Sequence, residues 1–271
     1  MNEEKRMVIF VYGTLLRGLN LHSALKTGDY LGLATVNGEL FDLGYFPGLL
    51  AGQQSIVGEI YRVNEATLQQ LDQIEGVNPT HPASSHYLRQ QTEATLLADG
   101  SIHTVELYRY NCSVAGKTAI GCGDYRRYLL EQQSDEQWVV AYGSNLDPNR
   151  LMDRVGTVTE WQAGVLPGFT LRFNKAASHS SGNCYANIGH DANKRCPAVA
   201  YRLSREQMAT LDGYEGVPNH YRRIALPFYS ENPAIEFAQV YIAQPEQLIE
   251  GAEPTPAYRG HIEAGYRYHQ L

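Results

Sequence analysis

Short apolar runs rich in β-branched and aromatic residues recur along the chain. The clearest, residues 8–12 and 138–142, each end on glycine, the mark of a buried strand running into a tight turn. The same pattern predicts strands at 36–41, 55–63, 88–98, 103–110, 169–174, 198–203, 221–229 and 237–242. Leu68, Leu71 and Ile74, and again Met208, Leu211 and Tyr214, recur at helical spacing, which predicts amphipathic helices over 65–74 and 205–214. Ser204 with Gln207 fits a capping box at the start of the second. Asp147 and Pro148 supply an N-cap and a first-turn proline for a helix to about residue 155, and Asn20 is placed to cap a shorter one. Strands outnumber helices, so the expected class is α+β, dominated by antiparallel sheet or a small barrel.

The order of these elements repeats. The pairs Tyr12-Gly13 and Tyr142-Gly143 lie 130 residues apart, and residues 57–77 align without gaps on 197–217. Seven identities in those 21 positions, among them Asp72/Asp212, Glu75/Glu215 and Gly76/Gly216, far exceed what ordinary residue frequencies give. His86-Tyr87 and His220-Tyr221 follow in both halves, with six extra residues in the first within a Pro- and Ser-containing loop at 78–85. Each half closes on a Tyr-Arg segment, Tyr125-Arg126 and Tyr258-Arg259, and the polar stretch 131–137 lies between them. The expected organisation is two domains, 1–133 and 137–271.

Composition narrows the functions open to such a chain. The 22 Lys and Arg against 29 Asp and Glu leave a net charge of -7, which repels a phosphate backbone or an anionic lipid surface. Neither nucleic acid nor a membrane is an expected partner. The apolar run after the charged first residues is too short for a signal-peptide core or a membrane span. Cys112, Cys122, Cys184 and Cys196 contain no Cys-x-x-Cys pair and read as small buried hydrophobes, so a reducing, cytoplasmic setting is expected.

Three features carry candidate chemistry. The turns Tyr12-Gly13-Thr14-Leu15 and Tyr142-Gly143-Ser144-Asn145-Leu146 follow buried strands, and backbone N–H groups in such turns form anion-binding concavities. Glu75 and Glu215 each end an amphipathic helix just before a glycine placed as a left-handed C-cap. A carboxylate there faces the negative end of the helix dipole, which raises its pKa and suits it to proton transfer near neutrality. Tyr87 and Tyr221, with His86 and His220, place a phenol or an imidazole near that Glu. The histidines show no metal-ligand spacing, Ser144 lies in no Gly-x-Ser-x-Gly elbow, and no Gly-x-Gly-x-x-Gly or Walker A loop occurs. No metal or cofactor is expected.

Taken together, the Tyr142–Leu146 turn, Glu215 in Tyr214-Glu215-Gly216-Val217, His220-Tyr221-Arg222-Arg223 and a terminal Pro256-x-Tyr258 helix resemble the γ-glutamylcyclotransferase family. The first half, with Tyr12-Gly13-Thr14-Leu15-Leu16-Arg17-Gly18 and Leu71-Asp72-Gln73-Ile74-Glu75-Gly76, is similar to its γ-glutamylamine cyclotransferase branch. The resemblance covers nearly the whole chain as two tandem copies. It implies a small mixed barrel with flanking helices in each half, a glycine-turn loop holding the glutamyl moiety of a small-molecule substrate, and Glu75 and Glu215 as acid/base residues. The implied reaction closes a γ-glutamyl amide to 5-oxoproline and releases an amine without water or cofactor. Two alternatives stand beside it: a module that binds a γ-glutamyl ligand without turnover, and a hydrolase or acyltransferase using the same Glu. In the loops, the N–H groups around Gly13 and Gly143 would hold either the substrate carboxylate or the oxyanion.

Overall fold

In the computed structural model, which describes residues 6–177, 182–233 and 235–271, each half builds its own sheet around the strand that precedes its Tyr-Gly turn. The chain separates into two compact units, Met1–Tyr128 and Leu129–Leu271.

In the first unit, β1 (Met7–Val11) is apolar throughout because it is covered on both faces. It pairs antiparallel with β3 (Pro47–Val63) and parallel with β5 (Ile102–Tyr110). A long hairpin joins β2 (Asp29–Asp42) to β3, with register shifts at Tyr30/Gly32 and Gly38/Glu39 that bend β2. The bend lets β2 also reach β4 (Tyr87–Leu96), where Ala34 faces Leu96, and β4 pairs along its length with β5. The ring β3-β1-β5-β4-β2 therefore closes on β3, with β6 (Thr118–Ala119) beside β2. A Cβ on Gly58 would lie 2.3 Å from the Val11 carbonyl, so the close crossing of β3 over β1 requires glycine. Helix α1 (Glu65–Ile74), capped by Asn64, buries Leu68 and Leu71 against Ile9, Val11 and Tyr61. Helix α2 (Tyr125–Gln133) follows, and the division between the two units falls within it.

The second unit repeats this order. β7 (Gln137–Ala141) lies between β9 (Cys184–Leu203), antiparallel, and β12 (Phe237–Ala243), parallel. β8 (Trp161–Ala176) forms the hairpin with β9, and β10 (Tyr221–Pro227) pairs with β12. Here β8 bonds to the short β11 (Tyr229–Ser230), which follows β10 after a break at Phe228; Gly164 and Val165 of β8 face Ser230 and Tyr229 as Ala34 and Thr35 of β2 face Leu96 and Thr95 of β4, so the same seam is joined in both units. Helices α3 (Pro148–Val155), α4 (Arg205–Glu215) and α5 (Pro256–His269) flank it. Both units are thus mixed α+β folds built on a barrel or half-barrel.

The caps at Asp147 and Ser204, and the proline at the start of α3, form as the sequence predicts. Several elements differ. The hairpins β2/β3 and β8/β9 are much longer than their predicted cores, because partner-strand hydrogen bonds carry Gly- and Gln-rich stretches that show no apolar alternation. Asn20 caps no helix. Between Gly18 and Gly28 the segment is too short to recover the cost of nucleation, and it makes successive turns with one 3₁₀ turn at His22–Leu25. Cys184 and Cys196 are buried, whereas Cys112 is exposed in the loop after β5 and Cys122 is half-buried.

Candidate active site

The same local device delivers a carboxylate in each unit. At the end of α1, Gly76 is left-handed (φ 64°), with Val77 N–H bonded to Asp72 O and Gly76 N–H to Gln73 O. At the end of α4, Gly216 (φ 65°) repeats it, with Val217 bonded to Asp212 and Gly216 to Gly213. This termination turns the chain back toward the barrel and leaves Glu75 as the cap just past α1, and Glu215 as the last residue of α4, next to the turn that follows β1 or β7. In those turns Leu16 N–H bonds to Gly13 O, and Leu146 N–H to Gly143 O, both at 2.9 Å.

The first unit gathers Tyr12, Gly13, Thr14, Leu15, Glu75 and Tyr87 around one cavity of about 120 Å³. The extra loop before Tyr87 does not displace it: Ser85 Oγ accepts from Asn78 N–H and closes the loop, Asn111 Nδ2 donates to Ser85 O, and Tyr87 still lines the cavity. The phenols are fixed parts of the wall. Tyr12 donates to Tyr108 O (2.6 Å), Tyr87 to Pro47 O (2.8 Å) and Tyr108 to Asp72 (2.8 Å), and burial holds all three hydroxyls protonated far above neutrality. Glu75 differs from them. Its carboxyl has no hydrogen-bond or ion-pair partner among the described residues, and burial pushes its pKa up to about 7. The N–H groups of Thr14 and Leu15 are likewise unbonded among the described residues, as a cradle for an anion requires.

The second unit gathers Tyr142, Gly143, Ser144, Asn145, Glu215 and Tyr221 around a smaller cavity of about 40 Å³. Its wall repeats the first: Tyr142 donates to Tyr241 O (2.5 Å), Tyr221 to Ala186 O (2.7 Å) and Tyr241 to Asp212 (2.8 Å). Leu146 lies beneath this cavity, not in it, packed so closely under α5 that a Cβ on Gly265 would meet it at 2.3 Å. His220 also turns away, its Nδ1 lying 3.2 Å from Lys175 Nζ and 3.1 Å from Gln247 Oε1, whereas His86 borders the first cavity. Tyr258 of α5 seals one side, accepting a hydrogen bond from Ala186 N–H at 3.0 Å.

Electrostatically the two carboxylates part company. Glu215 Oε1 accepts from Asn145 Nδ2 (2.9 Å) and from Arg154 Nη1 (3.1 Å), and Arg154 also donates to Asn145 Oδ1 (2.9 Å). Burial raises the Glu215 pKa, while Arg154 and the Asn145 amide pull it back. Leu15 stands in the first unit where Asn145 stands in the second. Arg154, Tyr108 and Tyr241 were not among the sequence candidates. The tyrosines could have been found as a matched pair in the strands β5 and β12, and Arg154 as the partner of Arg150 one turn away on α3. No three His, Cys, Asp or Glu side chains come together as metal ligands among the described residues. No helix among them is long and apolar enough to cross a membrane.

Comparison with known proteins agrees with the repeat. A family model described as "Gamma-glutamyl cyclotransferase, AIG2-like" matches residues 9–127 and again 139–260. A Vibrio cholerae protein named putative gamma-glutamylcyclotransferase is 47% identical over 72 residues, which are 26% of this chain and 63% of that protein. The chain thus spans less than two thirds of that relative. A Niallia circulans protein named gamma-L-glutamyl-butirosin B gamma-glutamyl cyclotransferase is 34% identical over 128 residues, 46% of this chain and 80% of that protein. Among solved structures, the crystal structure of YkqA from Bacillus subtilis has the same fold, with a TM-score of 0.73 at 23% identity over 97% of this chain and 93% of that one.

Proposed function

The chain belongs to the gamma-glutamyl cyclotransferase, AIG2-like family, matched in both halves, and on that premise we propose that it cyclises γ-glutamyl amides to 5-oxoproline, with Glu75 and Glu215 as the acid/base groups. The observation that carries this reading is the setting of Glu75: an unpaired carboxyl, raised to about 7, on the wall of a cavity that it shares with His86 and the locked phenols of Tyr12, Tyr87 and Tyr108. A general base works best with a pKa near the working pH.

The chemistry asks little more of the protein. The substrate's α-nitrogen attacks its own side-chain carbonyl carbon, the lactam C–N bond forms, and the original amide C–N bond breaks. The α-nitrogen begins as an ammonium and keeps one proton in the lactam, so two protons pass to the departing amine. The Glu carboxylate takes the first and returns it to the leaving nitrogen as the amide bond breaks; it takes the second from the ring nitrogen as the lactam forms, and the freed amine picks that proton up. Ring closure is intramolecular, so holding the substrate folded supplies much of the acceleration. The N–H groups of Thr14 and Leu15, or of the equivalent turn after Tyr142, would hold the negative charge that the substrate carries or develops. No water is consumed, which suits a small cavity walled by aromatic rings.

The experiment is release of 5-oxoproline from γ-glutamyl amino acids and γ-glutamyl amines by wild type, Glu75→Gln, Glu215→Gln and the double variant. Product that disappears in the double variant sustains the reading. Wild-type rates in the double variant, or release of free glutamate in place of 5-oxoproline, sink it.

A further inference from the structure

Each unit sets an arginine two residues after its wall tyrosine, Arg89 after Tyr87 and Arg223 after Tyr221, and strand pairing puts that arginine directly opposite a second tyrosine. Arg89 of β4 faces Tyr108 of β5, and Arg223 of β10 faces Tyr241 of β12. Both side chains of each pair reach one carboxylate on the neighbouring helix. In the first unit Tyr108 donates to Asp72 Oδ1 at 2.8 Å, and Arg89 Nε lies 3.3 Å from the same oxygen. In the second Tyr241 donates to Asp212 Oδ1 at 2.8 Å, and Arg223 Nη2 donates to Asp212 Oδ2 at 2.9 Å.

Ending the helix does not call for this carboxylate. The bond that terminates α1 runs from Val77 N–H to the Asp72 backbone oxygen, and that of α4 from Val217 N–H to Asp212, an acceptor that any residue offers. A negative side chain in the last turn also opposes the helix dipole. What the side chain adds is a tie from the helix end to the strand that borders the cavity. That strand is tied in turn to the glycine turn: the Tyr108 carbonyl accepts from Tyr12 (2.6 Å), and the Tyr241 carbonyl from Tyr142 (2.5 Å). Each unit thus holds an unbroken run, Asp72–Tyr108–Tyr12 or Asp212–Tyr241–Tyr142. Glu75 and Glu215 stand three residues after the Asp at one end of it, and Gly13 and Gly143 begin the N–H cradle at the other. The run is the same in both units although the two Glu residues differ in their partners.

We infer that Asp72 and Asp212 are positioning residues, each holding its acid/base Glu in register with the Tyr-Gly turn that cradles the substrate. This rests on the cyclisation proposed above, in which one carboxyl must reach two nitrogens of a substrate that the turn holds still. A helix end free to shift by about an ångström would leave binding in place and take the proton-moving group off its line. Arg89 and Arg223 supply the cation that keeps the Asp charged and facing the strand.

The test uses the Glu215→Gln protein, where the first unit acts alone, with the γ-glutamyl compound that it turns over fastest. Asp72→Ala is expected to lower kcat about 10- to 100-fold and to change KM far less. Asp72→Asn, which keeps an acceptor for Tyr108, is expected to restore most of kcat. Tyr108→Phe removes the same hydrogen bond from the other side, and it decides the matter if Asp72→Ala does not fold. Added to Asp72→Ala, it should cost nothing beyond the larger single loss. Asp212 and Tyr241 should behave alike in the Glu75→Gln protein. A role confined to stability would lower the melting temperature and leave kcat of the folded protein unchanged. That result, or losses from Asp72→Ala and Tyr108→Phe that simply multiply, overturns the assignment. If the chain releases no 5-oxoproline, amide hydrogen exchange separates the two claims. Exchange at Glu75, Gly76 and Val77 about tenfold faster in Tyr108→Phe keeps the tie while the cyclisation falls, and unchanged exchange refutes the tie itself.

Discussion

Glu75 and Glu215 end equivalent helices, precede equivalent left-handed glycines and face equivalent Tyr-Gly turns, yet one is solitary and the other is held by an amide and a guanidinium. The backbone device is conserved between the two units; the charge environment is not. A carboxylate alone in an apolar cavity is shifted far enough to share its proton near neutrality, and its pKa lies at about 7. Burial raises the pKa of Glu215 as well, but there a hydrogen-bonded cation and an amide pull it back. The cavity volumes differ as well, about 120 Å³ against about 40 Å³, with Asn145 and Tyr258 both on the wall of the second. One fold thereby sets two equivalent carboxylates in different charge environments.

The largest expected effect breaks that comparison at its centre. In the Glu215→Gln protein, where the first unit acts alone, adding Glu75→Gln is expected to cost about 10²- to 10⁴-fold in kcat, the usual range for a general acid/base group. Before that addition, kcat/KM of the first unit should rise with pH through about 7 as Glu75 becomes the base. In the Glu75→Gln protein, Arg154→Met should move the corresponding rise to higher pH by removing the cation that favours the charged form. Superimposable pH profiles for the two single variants would show that the pairing with Arg154 does not distinguish the sites.

A comparable effect, on stability, comes from the wall behind the first site. Glu59, fully buried, accepts from Arg126 (2.9 Å), from Arg17 and from Tyr61 (2.7 Å), and these neighbours hold its pKa down to about 2 against the cost of burial. Arg17 belongs to the Tyr12–Gly18 turn, so this cluster ties the turn and α2 to β3. In the second unit the aligned residue is Val199, and Tyr201, aligned with Tyr61, instead bonds to His269 at 2.6 Å. Arg126→Met leaves Glu59 short of a cation in the interior and should destabilise the first unit by about 3–5 kcal/mol, as read by urea unfolding. Adding Glu59→Leu should recover much of that loss. The depressed pKa also fixes the pH dependence. The cluster's contribution is fully present above the ordinary Glu pKa and is lost as pH falls from there through about 2, because the unfolded chain takes up the proton first.

The same contrast explains what could be read from the chain and what could not. Tyr12-Gly13, Glu75-Gly76 and their copies are local signals: a strand, a turn, a helix end and a left-handed glycine are each written within a few residues, so their placement around one cavity in each unit was legible. The helix α2 was not, because it is anchored by Arg126 in place of an apolar stripe, and hydrophobic periodicity is blind to that. Nor was the Arg154 contact, since nine residues of turn and helix separate it from Asn145 and the fold alone brings both to Glu215. The lengths of β8 and β9 were hidden for a similar reason, each strand being specified mainly by its partner.

A smaller effect tests Glu75 without assaying turnover. Its folded-state pKa lies above the unfolded value, so between about 4.5 and about 7 the folded protein binds more protons than the unfolded chain. Stability of the first unit should therefore fall as pH rises through that window. Above it, Glu75→Gln should stabilise the unit by about 1–3 kcal/mol, an amide being less costly to bury than a carboxylate. Below the window the variant should lose that advantage. Parallel thermal melts of wild type and variant between acid and mildly alkaline pH read the difference directly. A constant offset across the range would mean that Glu75 titrates as an ordinary surface carboxylate.

The smallest effect converts one site toward the other. Leu15 occupies the place of Asn145, is buried, and borders the first cavity beside Glu75. Leu15→Asn would offer Glu75 an amide donor of the kind that Asn145 gives Glu215 at 2.9 Å. A hydrogen bond to the charged form favours ionisation, so the rise of first-unit activity should shift toward acid by about one pH unit or less, consistent with roughly 1 kcal/mol for a single neutral donor. The reciprocal change, Asn145→Leu, should move the second unit's rise the opposite way by a similar amount, while Arg154 still holds Glu215. If both substitutions leave the profiles where they were, the cation alone separates the two carboxylates, and the difference between the units reduces to the presence of Arg154 on α3.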